Sequence, residues 1–264
     1  MKRPINPLTL CLLSFILVTL FGCSDRVKEG HNLPDEYAHL TPIDAATLRS
    51  TINQSIVYVQ VNDAMHQGVY AGSGIVIENG IIVTNAHVVL QKGGKARGPY
   101  IEVTLPNSQK TKAVLVGYSH RQDVAVLKVK PNFGTPHQEY CPSLQENQPL
   151  VAYGHPEKGP SALAGNVTDP RRSTTFHYVD GTPAAPAYIY LSTLPVVDRF
   201  SGGPMVDIFT GNICGMTVGY IQRQHPQTGK RQKLAVAISM DDVMEEVIKI
   251  IADQRETDQS FAQL

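Results

Sequence analysis

Three residues of this 264-residue chain could do chemistry together: a serine in a glycine turn, a histidine at the end of a strand and an aspartate at the start of another. Ser201 stands in Arg199-Phe200-Ser201-Gly202-Gly203-Pro204, between two apolar runs. A hydroxyl alone is a weak nucleophile. It needs open approach for a carbonyl, a base within hydrogen-bond reach and donors for the oxyanion that develops. Gly202 and Gly203, lacking Cβ atoms, permit a tight turn and a close foreign backbone. Asn85-Ala86-His87 follows directly on the β-branched run Ile81-Ile82-Val83-Thr84, which puts an imidazole at a strand's mouth. Asp123 opens Val124-Ala125-Val126-Leu127-Lys128-Val129, where a carboxylate is costly to bury unless a partner receives it. A histidine base, an aspartate that holds its tautomer and a serine nucleophile together point to acyl transfer.

The other eight of the nine histidines lie among polar, Gly or Pro residues and read as loop histidines. None has a tight ligand spacing to a cysteine or to another histidine, so neither metal nor cofactor is implied. Hydrophobic residues make up 42% of the chain, charged residues 17%, and the formal net charge is zero, which describes a globular protein without a nucleic-acid partner.

The elements that would position the three residues are mostly strands. Thr41-Pro42-Ile43-Asp44 reads as a helix start capped by Thr41, with a short helix to about Arg49. From Ser55 the pattern changes to alternation, with runs at 56–61, 69–78 and 81–84, and the Asn79-Gly80 pair marks a hairpin between the last two. Runs at 100–105, 112–118 and 123–129 complete one barrel, over about 54–130. Residues 131–148 read as a connection. Candidate strands at 150–153, 162–168, 173–179, 187–193, 205–209, 212–221 and 233–238 supply a second barrel, over about 149–238. Val243, Val247, Ile250 and Ile251 recur at helical spacing, giving a terminal helix over about 240–253. The fold class is all-β: two packed antiparallel six-stranded barrels and a C-terminal helix. His87 and Asp123 fall in the first barrel and Ser201 in the second, so the site lies in the cleft between them. An extended peptide pairing with an exposed strand edge there is the natural substrate.

T-N-A-H-V-V at Thr84 to Val89, D-V-A-V-L-K-V at Asp123 to Val129, S-G-G-P at Ser201 to Pro204 and G-N-I-C-G-M at Gly211 to Met216 occur in the order and spacing of one family. Over about 56–251 the chain resembles the chymotrypsin-like serine peptidases, most closely the protease domain of the bacterial high-temperature-requirement branch. The resemblance implies a serine endopeptidase acting on extended or unfolded polypeptides through an acyl-enzyme, without the peptide-binding domain that its closest members carry. It implies that the backbone N–H groups of Arg199 and Ser201 form the oxyanion hole. It also places Pro195, Val218, Gly219 and Tyr220 around the substrate, with Pro195 where trypsin-like members carry the acid that selects Lys or Arg. The family usually has glycine at the position of Arg199 and a small polar residue at that of Phe200. These departures keep open a second reading, a protease-fold module that binds extended peptides without cutting them. Arg223, Lys230, Arg231 and Lys233 cluster on a hairpin beside the site, as a solvated face or as an attractor of acidic substrate segments. Cys141 and Cys214 are free to pair in an oxidising compartment, and the sequence does not say whether they meet.

The N-terminus carries an export signal: Lys2 and Arg3 precede an apolar run from Leu8 to Phe21. Leu20-Phe21-Gly22-Cys23 resembles a bacterial lipobox, in which the cysteine is acylated and becomes the new N-terminus. The expected organisation is a lipoprotein signal peptide over 1–22, a polar tether over 23–40 and a peptidase domain over 41–264. The protein would be anchored in the cell envelope through Cys23, at the outer membrane and facing the periplasm.

Overall fold

The computed structural model describes residues 37, 39–154, 161–172, 176–177, 183–184, 189–193, 198–224 and 228–262. Alternating apolar residues set the strands of the first barrel. β1 (Ile56–Asn62), β2 (Gly68–Glu78) and β3 (Ile81–Thr84) follow the expected runs, and Asn79-Gly80 closes β2 on β3 with Glu78 opposite Ile81. A one-turn helix, labelled α2 (Ala86–Val89), leads into a two-residue ladder of β4 (Leu90–Gln91) with β5 (Lys95–Ala96). Then come β6 (Tyr100–Thr104), β7 (Lys110–Ser119) and β8 (Val124–Lys128), and the barrel closes in the order β1-β2-β3-β8-β7-β6.

The second barrel is built from β9 (Pro149–Gly154), β10 (Ser161–Arg172), β13 (Ile189–Ser192), β14 (Pro204–Asp207), β15 (Ile213–Gln224) and β16 (Arg231–Ser239), in the order β10-β13-β16-β15-β14-β9. The expected strand over 173–179 is not among its staves. β10 runs on to Arg172 and pairs directly with β13, leaving β11 (Phe176–His177) to form a separate pair with β12 (Pro183–Ala184). The rest of 173–179 lies outside the described residues.

Both helices depart from the expected bounds. The first, α1, spans Ala45–Ile52, and Asp44 rather than Thr41 caps it, its carboxylate accepting from the N–H groups of Ala46 and Thr47 at 3.0 Å each. Two bonds to otherwise unpaired donors, with negative charge at the positive end of the helix, favour Asp44. The preceding residue is already engaged, since the Ile43 N–H donates to the Ile208 carbonyl at 2.8 Å. The terminal helix α3 runs from Met240 to Ala262, and the Ser239 hydroxyl accepts from the Asp242 N–H at 3.0 Å. It outlasts its apolar pattern because residues such as Gln254, Arg255 and Glu256 are good helix formers without being core residues.

The strands bury both faces, and three cores result. Val57, Val59, Ile82, Ala125 and Leu127 point into the first barrel. Leu150, Ala152, Met205, Cys214, Ala235 and Ala237 fill the second. The alternate residues Ile56, Ile75, Val83, Val124 and Val126 meet Met216, Leu234, Val236 and Ile238 between the barrels, together with Leu48 and Ile52 of α1 and Val243 and Val247 of α3. Period two thus assigns each strand's odd and even residues to different cores. Cys141, in the connection, is disulfide-bonded to Cys214 of β15 across 73 residues, and the Cys141 N–H donates to the Ile213 carbonyl at 3.1 Å. A cross-link over that separation restricts the unfolded chain strongly. Cys141→Ser with Cys214→Ser should lower the unfolding free energy by about 2–4 kcal/mol, measured by urea denaturation without reductant.

Candidate active site

Asp123 sits in the turn before β8 with φ 55°, its N–H donating to the His120 carbonyl at 3.3 Å. Its own carbonyl accepts from the Ala86 N–H at 3.2 Å and from Asn85 Nδ2 at 3.0 Å, so the aspartate turn and the start of α2 lock together. The carboxylate then receives α2. Asp123 Oδ1 accepts from the His87 N–H at 3.0 Å, and His87 Nδ1 lies 2.9 Å from Oδ2 and 3.2 Å from Oδ1. Asp123 is 1% exposed and His87 8%. This is the partner that a carboxylate among apolar neighbours requires. The approach of Nδ1 to a carboxylate suits the tautomer with its proton on Nδ1, which leaves the lone pair on Nε2. Arg97 Nε donates to the His87 carbonyl at 2.7 Å, with its guanidinium 3.9 Å from the centre of the Tyr70 ring.

Ser201 comes from the other barrel, but its turn is docked on the first. The Ser73 N–H of β2 donates to the Ser201 carbonyl at 2.7 Å, and Ser73 Oγ donates to the Arg199 carbonyl at 2.7 Å. Thr84 Oγ1, at the end of β3, donates to the Ser73 carbonyl at 2.7 Å and so braces the docking strand. Gly202 has φ +86°, and a Cβ there would collide with the Ser73 carbonyl and Thr84 Oγ1; a Cβ on Gly203 would meet the Tyr153 carbonyl. Conformation and space both require glycine at 202. On the other side the turn is held by β15, the Gly202 N–H donating to the Thr217 carbonyl at 2.7 Å and the Thr217 N–H to the Gly203 carbonyl at 2.8 Å.

The Ser201 hydroxyl donates to the Val218 carbonyl at 2.7 Å rather than to His87. Among the described residues the Ser201 N–H has no acceptor, leaving a donor open beside the Ser201 hydroxyl. Val218 is the extra residue of a bulge, since Thr217 pairs with Ala237 and Gly219 with Val236. Its carbonyl is thereby turned out of the β15–β16 ladder. Gly219 has open space around its Cα, and Tyr220 is 45% exposed with Lys233 Nζ 4.3 Å from the centre of its ring. Pro195 and Cys23 lie outside the described residues. Phe200 is 1% exposed, in the core of the second barrel beneath the turn, with its ring against Gly154.

Arg199 has φ +72°, the left-handed region that glycine adopts freely and a side chain does not. Neither Ser73, Thr84 nor Arg97 is legible as part of the site from the chain alone. Their bonds join residues far apart in sequence, and the only hint is that Thr84 stands inside the T-N-A-H motif. Among the described residues, no three His, Cys, Asp or Glu side chains gather as metal ligands.

A two-barrel fold with a buried His–Asp pair and a serine in a glycine turn between them defines the chymotrypsin class. Residues 72–216 match the trypsin-like peptidase domain, and the chain belongs to that family. Its relatives include the serine protease HTRA4 of Homo sapiens, 32% identical over 136 residues, which are 48% of this chain and 27% of that protein. The serine protease Do-like HtrA of Lactococcus lactis subsp. cremoris is 26% identical over 191 residues, 69% of this chain and 45% of the relative. This chain therefore spans less than half the length of either relative. Among solved structures, a serine endoprotease from Yersinia pestis superposes with a TM-score of 0.61 at 19% identity, covering 81% of this chain and 68% of that one. An HtrA-type protease solved with a tripeptide gives a TM-score of 0.62 at 22% identity, covering 79% and 64%. The fold is shared with both.

Holding a side chain in the left-handed region costs about 1 kcal/mol. Arg199→Gly should therefore raise the unfolding free energy by about 1 kcal/mol in urea denaturation, whereas Arg199→Ala, which keeps a Cβ, should not.

Proposed function

We propose that the protein is a serine endopeptidase in which Ser201 is the nucleophile, His87 the general base and acid, and Asp123 the residue that orients His87. The observation that carries this reading is the buried pair of His87 Nδ1 and Asp123 Oδ2 at 2.9 Å, on the barrel to which the Ser201 turn is bonded. An extended substrate strand laid along β15 brings its own N–H to the Val218 carbonyl and displaces the Ser201 hydroxyl from it. A rotation of the Ser201 side chain then directs Oγ towards His87 Nε2. Oγ attacks the scissile carbonyl as its proton passes to Nε2, and the C=O electron pair becomes an oxyanion held by the N–H groups of Ser201 and Arg199. Collapse expels the amine, which takes the proton back from His87. Water then repeats the sequence on the acyl-enzyme and frees Ser201.

The second reading, a module that binds extended peptides without cutting, is favoured by one observation: the Ser201 hydroxyl is engaged with Val218 instead of His87. The two readings separate on a fluorophosphonate probe. Wild type should be labelled at Ser201, Ser201→Ala should not be labelled at all, and Asp123→Asn should lower the turnover of a peptide substrate by about 10⁴. A folded wild type that stays unlabelled makes the protein a binder.

The site of action is proposed to be the cell envelope. Among the described residues no helix is long and apolar enough to cross a membrane. Attachment is assigned to Cys23, on the strength of the charged start, the apolar run and the Leu20-Phe21-Gly22-Cys23 ending. Mass spectrometry of the mature protein should find a diacylglyceryl thioether on an N-terminal Cys23, and Cys23→Ala should leave the protein out of the membrane fraction. Cleavage at another residue, without lipid, defeats the assignment.

A further inference from the structure

β15 is paired on both sides only in its first half. Gly215 and Met216 are paired with both β14 and β16, whereas from Gly219 to Gln224 the strand pairs with β16 alone among the described residues. Among the described residues the outer edge of that second half is open, and it begins beside Ser201. The phase of the edge follows from bonds already described. Both backbone groups of Thr217 face the Ser201 turn, and the Val218 carbonyl faces Ser201 Oγ. With Val218 as the one bulged residue, antiparallel alternation turns the backbone groups of Tyr220 and Gln222 to the same edge.

A substrate strand whose scissile carbonyl is at Ser201 places that residue's N–H on the Val218 carbonyl. Running antiparallel, it sets the third residue before the cut opposite Tyr220 and the fifth opposite Gln222. Directly opposite residues of an antiparallel pair project their side chains on one face. On that face, in the next strand, stands Lys233, which pairs with Gln222 and reaches diagonally back so that Nζ lies 4.3 Å from the Tyr220 ring centre. Lys230 and Arg231 continue the same hairpin, and all three are exposed. Among the described residues none of the three cations has a carboxylate partner. The hairpin therefore offers uncompensated positive charge, anchored on an aromatic ring, where the substrate's side chain must pass.

We infer that Lys233, carried on Tyr220, makes this site selective for an acidic side chain three residues before the cleaved bond. The inference rests on the proposed binding of an extended strand at β15, and it concerns recognition rather than the chemical step. The Glu carboxylate, opposite Tyr220, lies along the ring edge and takes the ammonium as its partner. A lysine there meets like charge at the same place.

The test uses Ser201→Ala protein and a positional scan of acetylated, fluorescently labelled nonapeptides of Ala and Val, each with one Glu, Gln or Lys. Fluorescence anisotropy gives Kd. At one register position Glu should bind about threefold tighter than Gln and about tenfold tighter than Lys, the range of an exposed ion pair. The difference should shrink when salt is raised from about 0.05 M to about 0.5 M. Lys233→Gln should abolish the Glu preference and Lys233→Glu should invert it. Equal affinities at every position, no binding by any peptide, or an unchanged preference in Lys233→Glu overturns the inference. Wild type supplies the independent arm. Cleavage mapped by mass spectrometry should put the selective position three residues before the cut, and a different register overturns it. Discrimination by peptides that the wild type leaves uncut supports the inference while removing the peptidase reading.

Discussion

Ser73 is the residue on which the two halves of the site depend. Its N–H holds the Ser201 carbonyl and its hydroxyl the Arg199 carbonyl, and its own carbonyl is held by Thr84, one residue before the Asn85 that ties α2 to the Asp123 turn. A chain of bonds thus runs from the Ser201 turn through β2 and β3 to His87 and Asp123. Apolar packing between barrels is non-directional and tolerates sliding, whereas hydrogen bonds of 2.7 Å to fixed backbone groups do not. Placement of Ser201 relative to His87 comes from these bonds. The packed interface supplies the stability against which they act.

That interface is possible because the strands that meet there bury both faces. Val124 and Val126 of β8 enter the shared core while Ala125 and Leu127 enter the first barrel. Leu234, Val236 and Ile238 of β16 do the same against Ala235 and Ala237 in the second. On β16 the small residues fill the barrel and the large branched ones fill the space between barrels. α1 and α3 cover the ends of the shared core with Ile52, Val243 and Val247. The disulfide fastens the connecting segment to β15, the strand whose Val218 carbonyl receives Ser201 Oγ.

Much of this was legible in the chain. The first barrel follows from alternation and from Asn79-Gly80, because each of its strands is short and its turns carry their own chemistry. The residues of the candidate site stood out by their settings: His87 at a strand's end, Asp123 among apolar neighbours, Ser201 before two glycines. The second barrel was harder to bound. Its hairpin of β15 and β16 extends to Gln224 and Arg231 through ladder bonds between polar residues, which leave no apolar signal. Asp44 outcompeted Thr41 as a cap through bonds that depend on where Ile43 is tied. The engagement of Ser201 with Val218 was not readable at all, since it depends on a bulge and on a turn brought from seventeen positions away by the fold of β14 and β15. Arg199 was visible as a departure from a glycine pattern, and its φ of +72° gives the physical content of that departure.

The bulge at Val218 also acts as a phase slip in the pleat of β15. Before it, Met216 faces the shared core and pairs with Ile238; after it, Ile221 faces that core and pairs with Leu234. An even-numbered residue and an odd-numbered one thus serve the same side of one strand. A strand without the slip would keep Met216 buried but carry Tyr220 inward and Ile221 outward, with no carbonyl facing the serine. One inserted residue therefore satisfies two requirements that a regular strand sets against each other, a continuous buried face and an aromatic ring presented to the cleft.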